Sequence, residues 1–374
     1  MIDDDVRTDA YIRALSQVIT PDSIVVDLGA GSGFFSFEAI RLGARHVHAI
    51  EPSDALLVGQ RIAKVNGLAE SITFHRALST TVKLPERAHV IVADMRGTLP
   101  LLGPVLPAID DARRRFLRDD GILIPARDVL SCALVAAPKA YDRWTRVYGT
   151  RARDLDVRAA QTLLLNRIEG AELDELTPLT VSATLFEIDY ARPPPSAHIG
   201  EADLVVDETG TAHAIHAWFD ATLLEGVRYT TGRAPKGSRA VVYGVTCFPL
   251  EEPLELEKGD RVHVRLRANL VDDDVLWSWQ VSRIDAAGRV HAGPQQSTFL
   301  GRIVDKDTLD RQRADVVPAR PKDADIEMWL LTHLGDGRTV DALARALHAD
   351  FPGRVSSVSD ATKRVLRAAR RGEE

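Results

Sequence analysis

Residues 24 to 51 run Ile24-Val25-Val26-Asp27-Leu28-Gly29-Ala30-Gly31-Ser32-Gly33, then Phe34-Phe35-Ser36-Phe37-Glu38-Ala39-Ile40-Arg41-Leu42-Gly43-Ala44-Arg45, then His46-Val47-His48-Ala49-Ile50-Glu51. The order is an apolar strand, a glycine turn, a helix, a second apolar strand and an acid at its end. Gly29, Gly31 and Gly33 let the backbone turn sharply and approach a bound molecule, which a Cβ would obstruct. Glu51 stands 18 residues after Gly33, where a carboxylate can accept both hydroxyls of a ribose. Such a unit predicts a nucleotide-type site at the start of an α/β domain.

The same alternation continues on both sides. Val6, Ala10, Ile12, Leu15 and Val18 give helical spacing over 5 to 19, ending near Thr20-Pro21. Strands are predicted at 24–28, 46–50, 72–75 and 89–93, with another opening at Gly121 to Pro125. Helices are predicted at 33–42, 55–66 and 104–116. Strands alternating with helices argue for a parallel, doubly wound Rossmann-like sheet over residues 1 to 126. Ligands of such sheets lie beyond the carboxyl ends of the strands, where Gly29, Glu51 and Asp94 fall.

Beyond residue 126 the pattern changes. Short strands are expected at 129–135, 179–188, 212–219, 241–248, 261–270 and 277–284, which suits an antiparallel barrel or sandwich over 127 to 300. Pro193-Pro194-Pro195 is a stiff connector within it, and Arg151 to Glu175 is charged and helical or irregular. Residues 301 to 322, with Pro318 and Pro321, read as a linker. A small helical unit then fills 323 to 374: one helix around Met328 to Leu334 stopped at Gly335-Asp336-Gly337, a second capped by Thr339, and a third over 358–369.

Composition narrows the classes. A net charge of −7 argues against a general nucleic-acid binder. Cys132 and Cys247 lie in apolar runs and read as reduced core residues, with no metal spacing around them. The acidic start Met1-Ile2-Asp3-Asp4-Asp5 reads as neither signal nor transit peptide. No apolar stretch reaches the ~20 residues that span a bilayer, so a cytoplasmic protein is expected.

The run Asp27-Leu-Gly-Ala-Gly-Ser-Gly33 departs from the dinucleotide GxGxxG and resembles the S-adenosylmethionine site of class I methyltransferases. With the β-rich half that follows, the chain resembles the protein arginine methyltransferases over roughly residues 3 to 285. Asp4-Asp5-Val6-Arg7-Thr8-Asp9-Ala10-Tyr11 is similar to that family's Asp-x-x-Arg-Thr-x-x-Tyr. Trp144-Thr145-Arg146-Val147-Tyr148-Gly149 and His216-Ala217-Trp218-Phe219-Asp220 resemble two segments of its barrel. The resemblance implies that Arg7 holds the cofactor's carboxylate, a task suited to a guanidinium. It implies a homodimer joined through an arm, which 150–175 can supply. Together the motifs assign Arg7, Asp27, Gly29, Gly31, Gly33, Glu51 and Thr80 to S-adenosylmethionine. Thr80 falls where the family often has a glutamate near the adenine.

The acceptor side departs from the family. Its loop Ser-Glu-x-Met-Gly, with a second glutamate further on, grips a guanidinium between two carboxylates. Here the loop reads Ala93-Asp94-Met95-Arg96-Gly97-Thr98-Leu99-Pro100-Leu101-Leu102-Gly103. Asp94 stands at the first glutamate and Gly103 at the second. The family's Thr-His-Trp loop falls near Ser238-Arg239-Ala240, and the chain starts too close to Arg7 for the upstream helix that covers the cofactor. A cationic guanidinium held by one carboxylate is poorly compensated in a closed site, whereas an amine is nucleophilic once deprotonated. The first expectation is therefore an N-methyltransferase for a peptide or peptide-derived amine in natural-product tailoring, with Asp94 facing the amine. Alternatives are an arginine N-methyltransferase with an altered loop, and a non-catalytic cofactor-binding scaffold. Asp94 also has a plainer reading, as a strand-end residue capping the next turn.

Among His46, His48, His75, His213 and His216, none forms a Ser-His-Asp or Cys-His order. His48 reads as a core or edge residue. The segment 329–343 resembles winged-helix modules, in particular PqqD-like peptide-recognition domains, so binding of a leader peptide at 323–374 stands beside structural packing and DNA contact.

Overall fold

The computed structural model describes residues 4–101, 103, 105–146, 154–156, 158–232, 244–271, 274–285, 287–302, 314, 315, 317, 320 and 322–371. They fall into two compact units, residues 1–303 and 304–374.

The first unit opens with α1 (Asp5–Val18), which Asp4 caps by accepting the amide of Arg7. Five strands follow: β1 (Ile24–Leu28), β2 (His46–Ile50), β3 (Ile72–His75), β4 (Ala88–Ala93) and β5 (Leu117–Ile124). They form one parallel sheet in the order β3-β2-β1-β4-β5. The helices between them are α2 (Phe34–Arg41), α3 (Ala55–Val65) and α4 (Val105–Phe116). Strand β1 is buried along its whole length, as expected of a central parallel strand covered on both faces.

Register decides where the site lies. Leu28 pairs with Ile50 on one side and with Ala93 on the other. Gly29, Glu51 and Asp94 therefore leave three neighbouring strands at the same level. This is the switch point of the sheet, where the order reverses between β1 and β4.

The β-rich half follows in chain order as β6 (Arg127–Ala136), α5 (Pro138–Thr145), α6 (Arg158–Leu165), β7 (Glu169–Ala171), β8 (Thr177–Pro178), β9 (Ala183–Asp189), β10 (Ala197–Val205), β11 (Gly210–Leu224), β12 (Val227–Thr230), β13 (Val245–Leu256), β14 (Arg261–Val271), β15 (Asp274–Ile284) and β16 (Val290–Ser297). One antiparallel sheet runs β7-β13-β11-β6-β8, with β12 paired to β11 and β9 to β6. A second runs β10-β14-β15-β16. Phe219, Phe248, Trp277 and Trp279 are buried in a core continuous with that of the parallel sheet. Cys132 and Cys247 are buried free thiols that burial pushes up to about 12, so they stay protonated.

Several strands differ from the sequence-based expectation. The expected strand at 179–188 begins at Ala183, because Thr180 instead makes an isolated bridge with Val206. Strands β10, β12 and β16 were not anticipated: in β10 and β16 apolar residues such as Ile199, Val205 and Val290 are exposed, and neither strand has a continuous apolar run. Helix α5 begins at Pro138, which suits a first helical position. Residues 241–243 of the expected strand at 241–248, Val147-Tyr148-Gly149, Ser238-Arg239-Ala240 and most of 301–322 lie outside the described residues.

The second unit contains α7 (Ala324–His333), α8 (Val340–Asp350) and α9 (Val358–Arg371). Thr339 caps α8 through the amide of Ala342. Ile326, Leu330, Leu343, Leu347, Val355 and Val365 close its own core. Among its described residues there is no strand, only a bridge between Pro352 and Val355, so an edge to which a peptide could add as a strand is not among them.

Candidate functional site

The glycine turn is held open by backbone bonding to the neighbouring strand. The amides of Gly29 and Ala30 both donate to the carbonyl of Ile50, at 2.9 and 3.0 Å. Gly29 has φ +72°, and a Cβ there would lie 2.6 Å from Cγ of Met95. The turn and the loop after β4 thus touch, and glycine is required on both counts. Gly33, with φ +85°, caps α2 in the left-handed region, while Gly31, φ +53°, has open space where a Cβ would stand.

Glu51 closes this cradle. Its Oε2 accepts the amide of Gly31 at 3.1 Å and its Oε1 accepts the amide of Ser53 at 2.9 Å. Each oxygen keeps lone-pair capacity for a further donor, such as a ribose hydroxyl. The cradle that a Cβ would fill and an acid beside it fit a nucleoside-bearing sulfonium cofactor. Asp27 lies below the turn, 2% exposed, and accepts the hydroxyl of Ser36 at 2.6 Å. It ties β1 to the first turn of α2. Thr80 is exposed on a short 3-10 turn, and among the described residues no hydrogen bond joins it to the rest of the set.

Burial pushes the Asp27 carboxyl from its ordinary 3.8 up to about 6, against the Ser36 hydrogen bonds that lower it. The folded chain therefore holds this proton more tightly than the unfolded chain. Asp27 favours folding below pH ~4, and that contribution is lost as pH rises through about 6. An Asp27→Asn variant, which keeps an acceptor for Ser36, should gain stability relative to wild type between pH 4.5 and 8 by up to about 3 kcal/mol. Denaturant titrations of both proteins at the two pH values measure this, and a constant difference between them would show that Asp27 does not titrate in that window.

On the acceptor side, Arg7 and Asp94 form a buried ion pair, with side chains 3% and 6% exposed. The guanidinium of Arg7 also meets Asp4, Nε to Oδ2, at 3.5 Å. Gly103, with φ +109°, has nothing within 4 Å of a Cβ position. The far end of the loop is pinned by Trp277, whose Nε1 donates to the carbonyl of Leu101 at 3.2 Å. Of the expected set, the register brings Gly29, Gly31, Glu51 and Asp94 together, and Arg7 reaches Asp94 from α1.

A group of residues to which the sequence reading assigned no role gathers around Arg96, two positions beyond Asp94. Arg96 is 1% exposed and donates to Oδ1 of Asp128 at 2.6 Å and to the hydroxyls of Tyr11 and Tyr229 at 2.5 and 2.6 Å. Tyr190 donates its hydroxyl to the other oxygen of Asp128 at 2.6 Å. Burial pushes the Tyr11 hydroxyl up to about 12 and those of Tyr190 and Tyr229 well above their ordinary value, so all three are neutral. The available signals were a cation in a loop position where the family pattern has methionine, and an aspartate opening an apolar strand.

The histidines stand apart from this geometry. His48 is buried, bonded to His75 at 3.1 Å, and burial with the neighbouring imidazoles lowers it to about 4, so it is neutral. His216 is lowered to about 4 by burial. Among the described residues no cluster of His, Cys, Asp and Glu is suited to a metal, and no helix is long and apolar enough to cross a membrane.

Residues 6–125 match the family described as Ribosomal protein L11 methyltransferase (PrmA). Protein arginine N-methyltransferase 1 of Oryza sativa subsp. indica is 27% identical over 271 residues, covering 70% of this chain and 69% of the relative. The protein of that name from Schizosaccharomyces pombe is 26% identical over 274 residues, covering 70% and 78%. Among solved structures, the Trypanosoma brucei PRMT1 enzyme-prozyme heterotetrameric complex with AdoHcy superposes with a TM-score of 0.68 at 21% identity, over 79% of this chain and 96% of that one. Arabidopsis thaliana protein arginine methyltransferase 10 gives 0.67 at 18% identity, over 80% and 96%. The solved structures carry the fold, a parallel Rossmann-like sheet joined to antiparallel sheets. The chain is an S-adenosylmethionine-dependent methyltransferase that resembles the protein arginine methyltransferases.

Proposed function

We propose that this chain methylates a nitrogen of a peptide or protein, and that a guanidine nitrogen of arginine is the first acceptor to test. The observation that carries the reading is the register that sets Asp94 beside the glycine turn. The names of the similar proteins support the guanidine acceptor. S-adenosylmethionine supplies a methyl group already activated on a sulfonium, so no covalent enzyme intermediate is required. Asp94 accepts an N–H of the acceptor and turns its lone pair toward the methyl carbon. Arg7 partners Asp94 and, from α1, reaches the cofactor's carboxylate. Glu51 takes the ribose hydroxyls, and Gly29, Gly31 and Gly33 admit the cofactor to the backbone. Asp27 braces the turn from below, and Thr80 borders the adenine.

Glycine at position 103, where the resembled loop has a second glutamate, favours a second reading, an amine acceptor. One carboxylate already paired with Arg7 leaves little excess negative charge to hold a guanidinium. A terminal amine of a peptide, including one destined to be a natural product, needs no second carboxylate. A groove of about 360 Å³ between α7 and α9, floored by Ile326 and Leu330 and rimmed by both acids and bases, is the place in this unit where a leader segment would lie. A cytoplasmic homodimer joined through 150–175 completes the proposal, although 150–153 and 157 lie outside the described residues.

The test is mass spectrometry of two peptides, one with arginine and a blocked amino terminus, the other with a free amine and no arginine. Methylation of the first supports the guanidine reading and of the second the amine reading. Asp94→Ala should lower turnover on whichever is used by about 100-fold. Turnover unchanged in Asp94→Ala would remove Asp94 from both readings.

A further inference from the structure

We infer that Arg96 is the positioning residue of the acceptor site, fixing Asp94 and its loop against the β-rich half. The inference rests on the reading of Asp94 as the acceptor-facing carboxylate. A buried guanidinium is costly unless several partners meet it, and here they come from three elements. Tyr11 is on α1, Asp128 on β6 and Tyr229 on β12, while Tyr190, just after β9, holds the other oxygen of Asp128. The guanidinium carbon also lies 5.1 Å from the ring centre of Phe219 and 5.4 Å from that of Tyr229.

Two contacts carry this network to Asp94. The second guanidinium nitrogen of Arg96 lies 3.9 Å from Oδ1 of Asp94, while Oδ2 belongs to Arg7. The carboxylate is thus held between two cations, one facing each oxygen. Tyr11, which accepts from Arg96, donates its own hydroxyl to the carbonyl of Ala93 at 3.2 Å, the residue just before Asp94. Both the backbone entering the loop and the side chain leaving it therefore refer back to Arg96.

An interdomain staple alone would need only the Arg96–Asp128 pair. A well-packed apolar residue serves that purpose at least as well, and the family pattern has methionine at this position. The planar fork of arginine adds what methionine and lysine lack: donors at fixed angles that set the distance from Asp94 to the wall carrying Asp128 and Tyr229.

The experiment uses the full chain and whichever acceptor peptide the wild type methylates. Arg96→Met combined with Asp128→Asn removes the charge pair while leaving Tyr190 an acceptor. Arg96 is expected to act on kcat, so the double variant should keep its cofactor Kd within about twofold and lose about tenfold or more in kcat. Tyr229→Phe removes one hydroxyl and no charge; it should lower kcat about threefold with the same cofactor Kd. A folded double variant with wild-type kcat overturns the inference; should that variant not fold, wild-type kcat in Tyr229→Phe does so. Asp94→Ala run in parallel separates the two levels. Loss of turnover there with wild-type kcat in the network variants defeats Arg96 alone, whereas unchanged turnover defeats the reading of Asp94 beneath it.

Discussion

An Asp128→Ala variant is expected to lose about 3–5 kcal/mol of stability, the range for breaking a buried ion pair from one side. Asp128 is fully buried, and its two oxygens take Arg96 and Tyr190 separately. Its removal strands two groups. Arg96 is left with two tyrosine hydroxyls and, at 3.9 Å, the carboxylate of Asp94. Tyr190 loses the acceptor for its hydroxyl. Burial alone would push Arg96 toward its neutral form, but Asp128 and the tyrosines outweigh it and raise its pKa well above the ordinary value. Without Asp128 the cost of burying this cation stands largely uncompensated. Against a typical net stability of about 5–15 kcal/mol this is a large fraction. Guanidinium unfolding of wild type and variant measures it. A loss below about 1 kcal/mol would mean that Asp94 or water takes over the pairing, and the network would then be softer than its geometry implies.

Glu51→Ala should weaken S-adenosylmethionine binding by about 100-fold, from roughly 3 kcal/mol of lost charge-assisted hydrogen bonding. Two effects act together. In the proposed reading the carboxylate offers acceptors to the ribose, and it holds the amides of Gly31 and Ser53 that shape the turn. Glu51→Gln keeps one carbonyl acceptor and separates the two, with an expected loss of about tenfold. Calorimetric titration with S-adenosylmethionine or S-adenosylhomocysteine reads both variants. Wild-type affinity in Glu51→Ala would take the ribose assignment away from this residue.

The legible parts of the chain were those governed by short-range rules. Strand β2 at His46–Ile50 and β3 at Ile72–His75 coincide with their expected spans, because each is a short β-rich run closed by turn residues. Helix α8 begins after Thr339, as its side-chain cap requires. By contrast, β10 alternates buried and exposed positions with glycine, alanine and acids, so its pattern is weak without the partner strand β14 that completes it. Edge strand β16, with five exposed residues among its first six, shows still less.

The site divides in the same way. The placement of Gly29, Gly31, Gly33 and Glu51 at one turn was readable because one strand–turn–helix–strand unit contains them all. Arg96 was on view in the loop as an isolated cation. Its meaning depends on Asp128, Tyr11 and Tyr229, which lie 32, 85 and 133 residues away in the chain. Turn chemistry and periodicity act over a few residues, so the sequence by itself determined the α/β class, the glycine turn with its acid and the absence of a second carboxylate at position 103. Which charges face Asp94, and how firmly they hold it, was decided only when folding removed water from Arg96 and forced distant acceptors to meet it.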